Sequence, residues 1–263
     1  MYILEPTSPH THTMILLHGR DSQAEEFASE FFESEAGEAT VPPGTDRTLP
    51  AIFPGIRWVF PEAQELLSER FNLPMRQWFD MWSVEKPEER SEIQDDGLRQ
   101  SVEAIRALLA REEALVSRSH IFLGGISQGF ATAASTFLAD GEGGFTGLIG
   151  FCSWLPLSCR ARGSEYRHSL LSTPIILQHC RDDTVVPIDN GRCMRDILGQ
   201  IGLEKVAWHE YEDGGHWINE PQGVDQLVEF VAQRQGCTIE HLNNSTAAEP
   251  TTPNRSSHTN TPE

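Results

Sequence analysis

The chain has 263 residues, with 38% hydrophobic and 22% charged side chains, ordinary proportions for a soluble globular protein and ample length for a sizeable core. A formal net charge of −19, with no basic cluster of four or more residues to offset it, argues against nucleic acid or an anionic membrane surface as partner. Five scattered cysteines (Cys152, Cys159, Cys180, Cys193, Cys237), odd in number and without C-x-x-C spacing, fit reduced intracellular thiols rather than a disulfide frame or a zinc site.

Residues Met1 to Thr13 lack a charged segment followed by an apolar core of roughly 7–15 residues, so no signal peptide is expected. No apolar stretch approaches the ~20 residues needed to span a bilayer, so a cytoplasmic protein without stable membrane insertion is the expectation. The first element is a buried strand, Thr13 to Leu17, ending in a His18-Gly19 loop. A helix over Ala24 to Phe32 follows. Glu33 to Pro54 is rich in Gly, Pro, Thr and acids and reads as a long loop or insertion. Ile56 to Phe60 is a second strand. Glu88 to Leu115 is the clearest helix: Leu98, Val102, Ile105 and Leu109 share one face, and Asp95-Asp96 and Glu112-Glu113 read as its solvated side.

The strand Ile121–Leu123 leads into Gly125-Ile126-Ser127-Gln128-Gly129, and a helix-like stretch, Phe130 to Leu138, leaves it. A G-x-S-x-G between strand and helix predicts a sharp turn that pushes a serine hydroxyl out at the top of a sheet. Strand candidates Phe145–Phe151, Pro174–Leu177 and Val206–Tyr211, a helix from about Gly191, and a helix begun by Asn219 and Pro221 complete the pattern. Strands alternating with helices predict an α/β fold with a mostly parallel central sheet and helices on both faces. From Cys237 to Glu263 the composition turns to Ser, Thr, Asn and Pro without periodicity, so residues 1–236 are read as the domain and 237–263 as a disordered polar tail.

A serine hydroxyl is a poor nucleophile at neutral pH and needs a base, which in turn needs a carboxylate to orient it. In the α/β-hydrolase order the three appear as Ser…Asp/Glu…His on loops after strands. The loop after Pro174–Leu177 offers Asp182 and Asp183, of which only one can point at the base, with Asp213 an outsider. The loop after Val206–Tyr211 offers His216 behind two glycines, with His209 the next choice. Backbone N–H groups for a developing oxyanion are expected from Gln128, after the nucleophile, and from the His18-Gly19-Arg20-Asp21 loop. Other motifs carry less. Gly141-Glu142-Gly143-Gly144 has neither dinucleotide nor Walker spacing. His10 and His12 lack an evident third ligand, so no metal is expected. The cluster Trp78-Phe79…Trp82 reads either as core or as the wall of an apolar acyl pocket.

With these residues assembled, the chain resembles the acyl-protein thioesterase / phospholipase–carboxylesterase family of serine hydrolases, from about Met14 to Val231. Leu17-His18-Gly19-Arg20 looks like its early H-G loop, Pro61-Glu62-Ala63 and Gln77-Trp78-Phe79-Asp80 like its P-x-A and W-F-D segments, and Leu123-Gly124-Gly125-Ile126-Ser127-Gln128-Gly129 like its elbow. Cys152 to Leu157 is similar to S-x-W-L-P, and His179…Asp183-Thr184-Val185-Val186-Pro187 to H-G-x-x-D-x-V-V-P. The resemblance implies an α/β-hydrolase fold and a Ser127, Asp183, His216 triad. It also implies oxyanion donors at the Arg20 and Gln128 amides and acyl-pocket candidates Trp78, Phe79, Trp154 and Leu155. No cofactor or metal is implied. The implied substrates are acyl esters or thioesters, with S-acylated proteins, lysophospholipids and small esters as rivals. A hydrolase fold reused as a binding or receptor module with little turnover is the alternative. Two residues depart from the pattern: Cys180 stands where glycine usually follows the histidine, and Asp21 puts a carboxylate beside the oxyanion loop where glycine is common.

Overall fold

The computed structural model describes residues 1–41, 44–160 and 166–236, so the expected polar tail from Cys237 lies outside the described residues. In chain order the elements are β1 (Tyr2–Leu4), β2 (His12–Leu17), α1 (Ala24–Glu33), α2 (Leu49–Ile52), β3 (Ile56–Phe60), β4 (Glu65–Ser68), β5 (Leu73–Arg76) and α3 (Asp95–Glu112). They continue with β6 (Ile121–Ile126), α4 (Gln128–Asp140), β7 (Gly147–Phe151), α5 (Leu157–Arg160), α6 (His168–Leu171), β8 (Ile175–Cys180), α7 (Ile188–Ile201), β9 (Val206–Tyr211) and α8 (Gln222–Arg234).

The seven-stranded sheet runs β1-β3-β2-β6-β7-β8-β9, all parallel except β1, which pairs antiparallel with β3. Strands β2, β6, β7 and β8 are buried at every position, which is why they read as continuous apolar runs rather than alternating ones. One face packs Ile15, Leu123, Leu148 and Leu177 against α3, α4 and α7 through Leu98, Ile105, Phe130, Phe137, Met194 and Leu198. The other packs Met14, Leu16, Phe122, Ile149 and Ile176 against α1 and α8 through Phe27, Phe31, Val224, Leu227, Val228 and Val231. The chain leaves β2 toward β3 on one side and later returns to β6 on the other, so the crevice between the C-terminal ends of β2 and β6 is where such a sheet places a site.

Several boundaries differ from the sequence expectation. The helix expected from Glu88 begins at Asp95, because Arg90 takes a left-handed φ of 51° and Ser91–Ile93 forms a separate tight turn. Glu112 is not solvated. It is 4% exposed, with its carboxylate held by Arg57 Nε at 3.1 Å and Thr13 Oγ1 at 3.4 Å. The Glu33–Pro54 stretch contains the short helix α2, seated by buried Leu49 and Ile52. β8 extends three residues beyond Leu177. Its polar end stays buried because Gln178 Nε2 donates to Gly223 O at 2.9 Å and His179 to Val186 O at 2.8 Å. Strand β1 and the β4–β5 hairpin had no counterpart in the sequence reading. β4 and β5 are largely exposed, and β5 contains Pro74, so no buried alternation marks them.

α4 is buried from Gln128 through Leu138. Its hydroxyls are satisfied internally, Thr132, Ser135 and Thr136 each donating to the carbonyl four residues back at 2.7–3.0 Å.

Candidate active site

Ser127 joins β6 to α4 with φ 55° and ψ −127°, a backbone conformation that a residue with a β-carbon rarely adopts and that signals a constrained, functional turn. The turn is pinned by its neighbours: Ser127 N–H donates to Phe151 O at 2.9 Å, and Ser153 Oγ donates to Ser127 O at 2.7 Å. The flanking glycines are a steric requirement. A β-carbon at Gly125 would lie 2.5 Å from Leu17 O, and one at Gly129 2.2 Å from Leu17 O and 2.5 Å from His18 O. Because Leu17 pairs with Gly125, the loop after β2 lies directly beside the serine turn.

That loop carries the first expected oxyanion donor. Among the described residues the Arg20 N–H donates to no protein acceptor, whereas the next N–H, of Asp21, is committed to Arg76 O at 2.7 Å. The second, Gln128, is the first residue of α4, where an N–H has no acceptor within its helix and the dipole favours negative charge. Asp21 takes φ 61°, which accounts for the glycine common at that position, and its side chain is exposed. His18 is fully buried. Its Nε2 accepts from Ala63 N–H at 3.1 Å, so Nδ1 carries the hydrogen and donates to Gly19 O at 2.7 Å.

The Gln128 side chain clamps the elbow to the Gln77–Asp80 segment. Its Oε1 accepts from Trp78 N–H at 2.9 Å and its Nε2 donates to Phe79 O at 2.8 Å, while the Trp78 indole N–H donates to His18 O at 2.8 Å. Trp78, Phe79, Trp154 and Leu155 are each no more than 3% exposed and belong to the core on the α3/α4 face. These acyl-pocket candidates are thus packed as core side chains. A cavity of about 260 Å³ lies elsewhere, between α3, α4 and α5, lined by Leu98, Val102, Ser135, Leu138 and Cys159.

The acid and base loops follow β8 and β9. His216 Nδ1 donates to Asp183 Oδ2 at 2.8 Å, leaving the imidazole Nε2 as a lone pair. Asp183 Oδ1 accepts from Val185 and Val186 N–H at 2.8 Å each, and His179 Nε2 stands 3.3 Å from Oδ2. Burial pushes the Asp183 carboxyl up, but hydrogen bonds from His179, His216 and Val186 and the nearby imidazole outweigh it and hold the group well below the usual carboxylate range. The two aspartates are thereby told apart. Asp182 is exposed and pins the loop, accepting from Gly215 N–H at 2.8 Å, and the outsider Asp213 is exposed and bonded to Asn219. His209 lies inside β9, paired with Gln178, rather than on the loop.

Ser127 follows β6 and His216 follows β9, both at the C-terminal ends of the parallel strands. Their chain neighbours Ile126 and Trp217 line a single apolar pocket with Phe27, Phe31, Phe151 and Ile218. Cys152, next to Phe151, sets its sulfur 3.9 Å from Gly215 O and 3.5 Å from Trp217 O, on either side of the histidine. Among the described residues no hydrogen bond joins Ser127 Oγ to His216, a contact that commonly tightens only when substrate is bound.

His179 had no role in the residue-by-residue reading beyond its place in a motif. It is 1% exposed and its Nε2 carries the hydrogen, because Val186 O can only accept. It thus steadies both Asp183 and the chain that cradles it. Cys152, His179 and Asp183 place one potential ligand atom each within 4.8 Å of one another. Within that group the His179 hydrogen and both Asp183 oxygens are committed to hydrogen bonds, while the Cys152 sulfur is directed to Gly215 O and Trp217 O.

The family model described as phospholipase/carboxylesterase matches residues 1–234. The chain belongs to this family. Membership makes it an ester hydrolase with the α/β-hydrolase fold, as the sheet and elbow indicate. An acyl-protein thioesterase 1 from Yarrowia lipolytica is 28% identical over 210 residues, spanning 79% of this chain and 85% of that protein. An acyl-protein thioesterase 1 from Emericella nidulans is 24% identical over 237 residues, spanning 88% and 93%. Among solved structures, acyl-protein thioesterase 2 from Zea mays superposes with a TM-score of 0.69 at 22% identity, covering 89% of this chain and 98% of that one. No helix among the described residues is long and apolar enough to cross a membrane.

Proposed function

We propose that the chain hydrolyses carboxylic esters and thioesters of acyl groups by two-step acyl transfer, with Ser127 as nucleophile, His216 as general base and Asp183 as its orienting carboxylate. The observation that carries this reading is the left-handed turn at Ser127, with φ 55°, together with a His216–Asp183 pair joined at 2.8 Å on loops at the same ends of the parallel strands. His216 Nε2 takes the Ser127 proton as Oγ attacks the acyl carbonyl carbon. The Arg20 and Gln128 N–H groups receive the oxyanion. His216 then returns the proton to the leaving alcohol or thiol. In the second step the same nitrogen activates a water that releases the acid, with Asp183 stabilising the imidazolium in both.

Thioesters enter because relatives along most of the chain are named acyl-protein thioesterases. S-acylated proteins are therefore the favoured substrates, before lysophospholipids and small esters. Ser127→Ala is expected to abolish both p-nitrophenyl ester hydrolysis and fluorophosphonate labelling. Labelling that survives this change refutes the nucleophile. Stoichiometric binding of an acyl ligand without turnover by the unaltered protein would instead make the fold a receptor.

A further inference from the structure

Cys152 and Cys180 sit where the ends of β7 and β8 meet the His216 loop. The Cys152 N–H donates to Gln178 O at 2.9 Å, extending the β7–β8 ladder one residue past the Phe151–Gln178 pair. In a regular strand the Cys152 side chain would share a face with His179, and Cys180 would point to the other. Cys152 instead takes φ 46°, the left-handed region, and its sulfur lies on the side of Cys180. Both sulfurs approach one atom, Trp217 O, at 3.5 and 3.6 Å. One strand spacing across (about 4.8 Å) and one residue along (about 3.3 Å) put the α-carbons roughly 6 Å apart. A disulfide spans about 4.4–6.8 Å between α-carbons.

The two sulfurs are not equivalent. The hydrogen bond to Cys180, then burial, push the Cys152 thiol up. The same bond pulls the Cys180 thiol down, against burial and the carboxylates of Asp182, Asp183 and Asp213. Cys180 is therefore the sulfur that ionises first and reacts with an electrophile. Cys180 is 1% exposed, and the backbone of Gly214, at φ 123°, lies against it: a β-carbon there would stand 2.7 Å from the sulfur.

We propose that Cys152 and Cys180 are an oxidant-sensitive pair whose closure to a disulfide switches off the hydrolytic site, a reading that rests on the Ser127, His216 and Asp183 assignment. The oxidant is a hydroperoxide. The Cys180 thiolate attacks its terminal oxygen, the O–O bond breaks, the leaving oxygen takes up a proton, and Cys180 becomes a sulfenic acid. The Cys152 sulfur attacks the sulfenic sulfur, the S–O bond breaks, and hydroxide departs with the thiol proton as water. With hydrogen peroxide, two thiols and one peroxide give one disulfide and two waters: the sulfurs are oxidised and the peroxide oxygens reduced. A dithiol reverses the bond by exchange. Drawing the sulfurs into a bond withdraws them from Trp217 O and Gly215 O, contacts on both sides of His216. An ångström of misplacement at such a base costs roughly a hundredfold in rate.

The test treats the full chain with hydrogen peroxide, blocks remaining thiols, and digests with trypsin and chymotrypsin, which cuts after Trp154 and separates Cys152 from Cys159. A peptide linked through Cys152 and Cys180 is expected, with ester hydrolysis falling about a hundredfold and returning on addition of dithiothreitol. Hydrogen exchange should rise across residues 212–218 in the oxidised protein. Cys180→Gly, or Cys180→Ser should glycine loosen the strand, is expected to start at the wild-type rate and to keep it under peroxide. Absence of the linked peptide, a link only through Cys159, Cys193 or Cys237, or equal inactivation of both Cys180 variants overturns the proposal. The cross-link and the exchange are read without substrate. A chain inactive on esters would therefore sink the catalytic assignment, while the thiol chemistry is judged separately.

Discussion

Replacing Asp183 by asparagine separates what the carboxylate orients from what it merely fills. Val185 and Val186 both donate to Oδ1 at 2.8 Å, so asparagine must keep its carbonyl oxygen there. Its NH2 group then faces His216 Nδ1, 2.8 Å away, and His179 Nε2, 3.3 Å away. His179 already donates from that nitrogen to Val186 O, so a donor meets a donor. His216 accepts only by moving its hydrogen to Nε2, the atom that must receive the serine proton. The base is lost and so is the anion beside the imidazolium. The same exchange in a Ser-His-Asp protease costs about 10,000-fold in kcat, which is about 5.4 kcal/mol of barrier. A loss of about 1,000- to 10,000-fold in kcat with little change in KM is expected here. The assay is burst and steady-state hydrolysis of a p-nitrophenyl ester, with urea unfolding in parallel. Loss of hydrogen bonds to a charged acceptor costs about 1.5–3 kcal/mol of stability, so the variant should stay folded. A folded Asp183→Asn protein keeping more than a tenth of wild-type kcat would refute the orienting role.

Three further outcomes follow from the packing. Gly129→Ala drives a β-carbon to 2.2 Å from Leu17 O and should cost about 3 kcal/mol or more in urea unfolding. Gly199→Ala, with nothing within 4 Å and an α7 helix around it, should instead stabilise by about 0.5–1 kcal/mol. Gln128→Ala strands the Trp78 N–H and Phe79 O and should lower stability by about 2–4 kcal/mol in the same measurement. Burial, with His120 and His10 nearby, lowers the pKa of His12 to about 4. The unfolded chain therefore binds the extra proton first, and stability should fall by about 2–3 kcal/mol as pH drops from about 6.5 to about 4. His12→Phe should flatten that slope in thermal scans. Asp183, held low by its donors, loses its own contribution only at more acidic pH.

The elbow was legible because chemistry fixes its residues locally: Gly125 and Gly129 have no room for a β-carbon, and a strand must precede Ser127 and a helix follow it. The position of His216 on the loop after β9 followed from order and from the two glycines before it. The choice between Asp182 and Asp183 came only from the family resemblance, since adjacent carboxylates differ only in what their loop offers them. Val185 and Val186 N–H groups meet one and Gly215 N–H the other. Polar residues buried by long-range partners also escaped the local pattern. Glu112 on α3 finds Arg57 from β3, and His179 prolongs a strand because Val186 O waits beyond its end. The burial of Trp78 and Phe79 rests on contacts from Gln128 and His18, which no spacing rule contains.

The sheathing of α4 from Gln128 to Leu138 divides the kinetics in two. A helix end carries roughly half an elementary charge, and counter-ions that cannot reach it cannot dim it. In the proposed mechanism the pull of this helix end on the developing oxyanion is then set by the interior rather than by the ionic strength of the medium. The exterior, at a net −19, remains open to that medium. Salt should therefore alter how often a charged acyl donor arrives, and leave untouched how fast it is cleaved once seated.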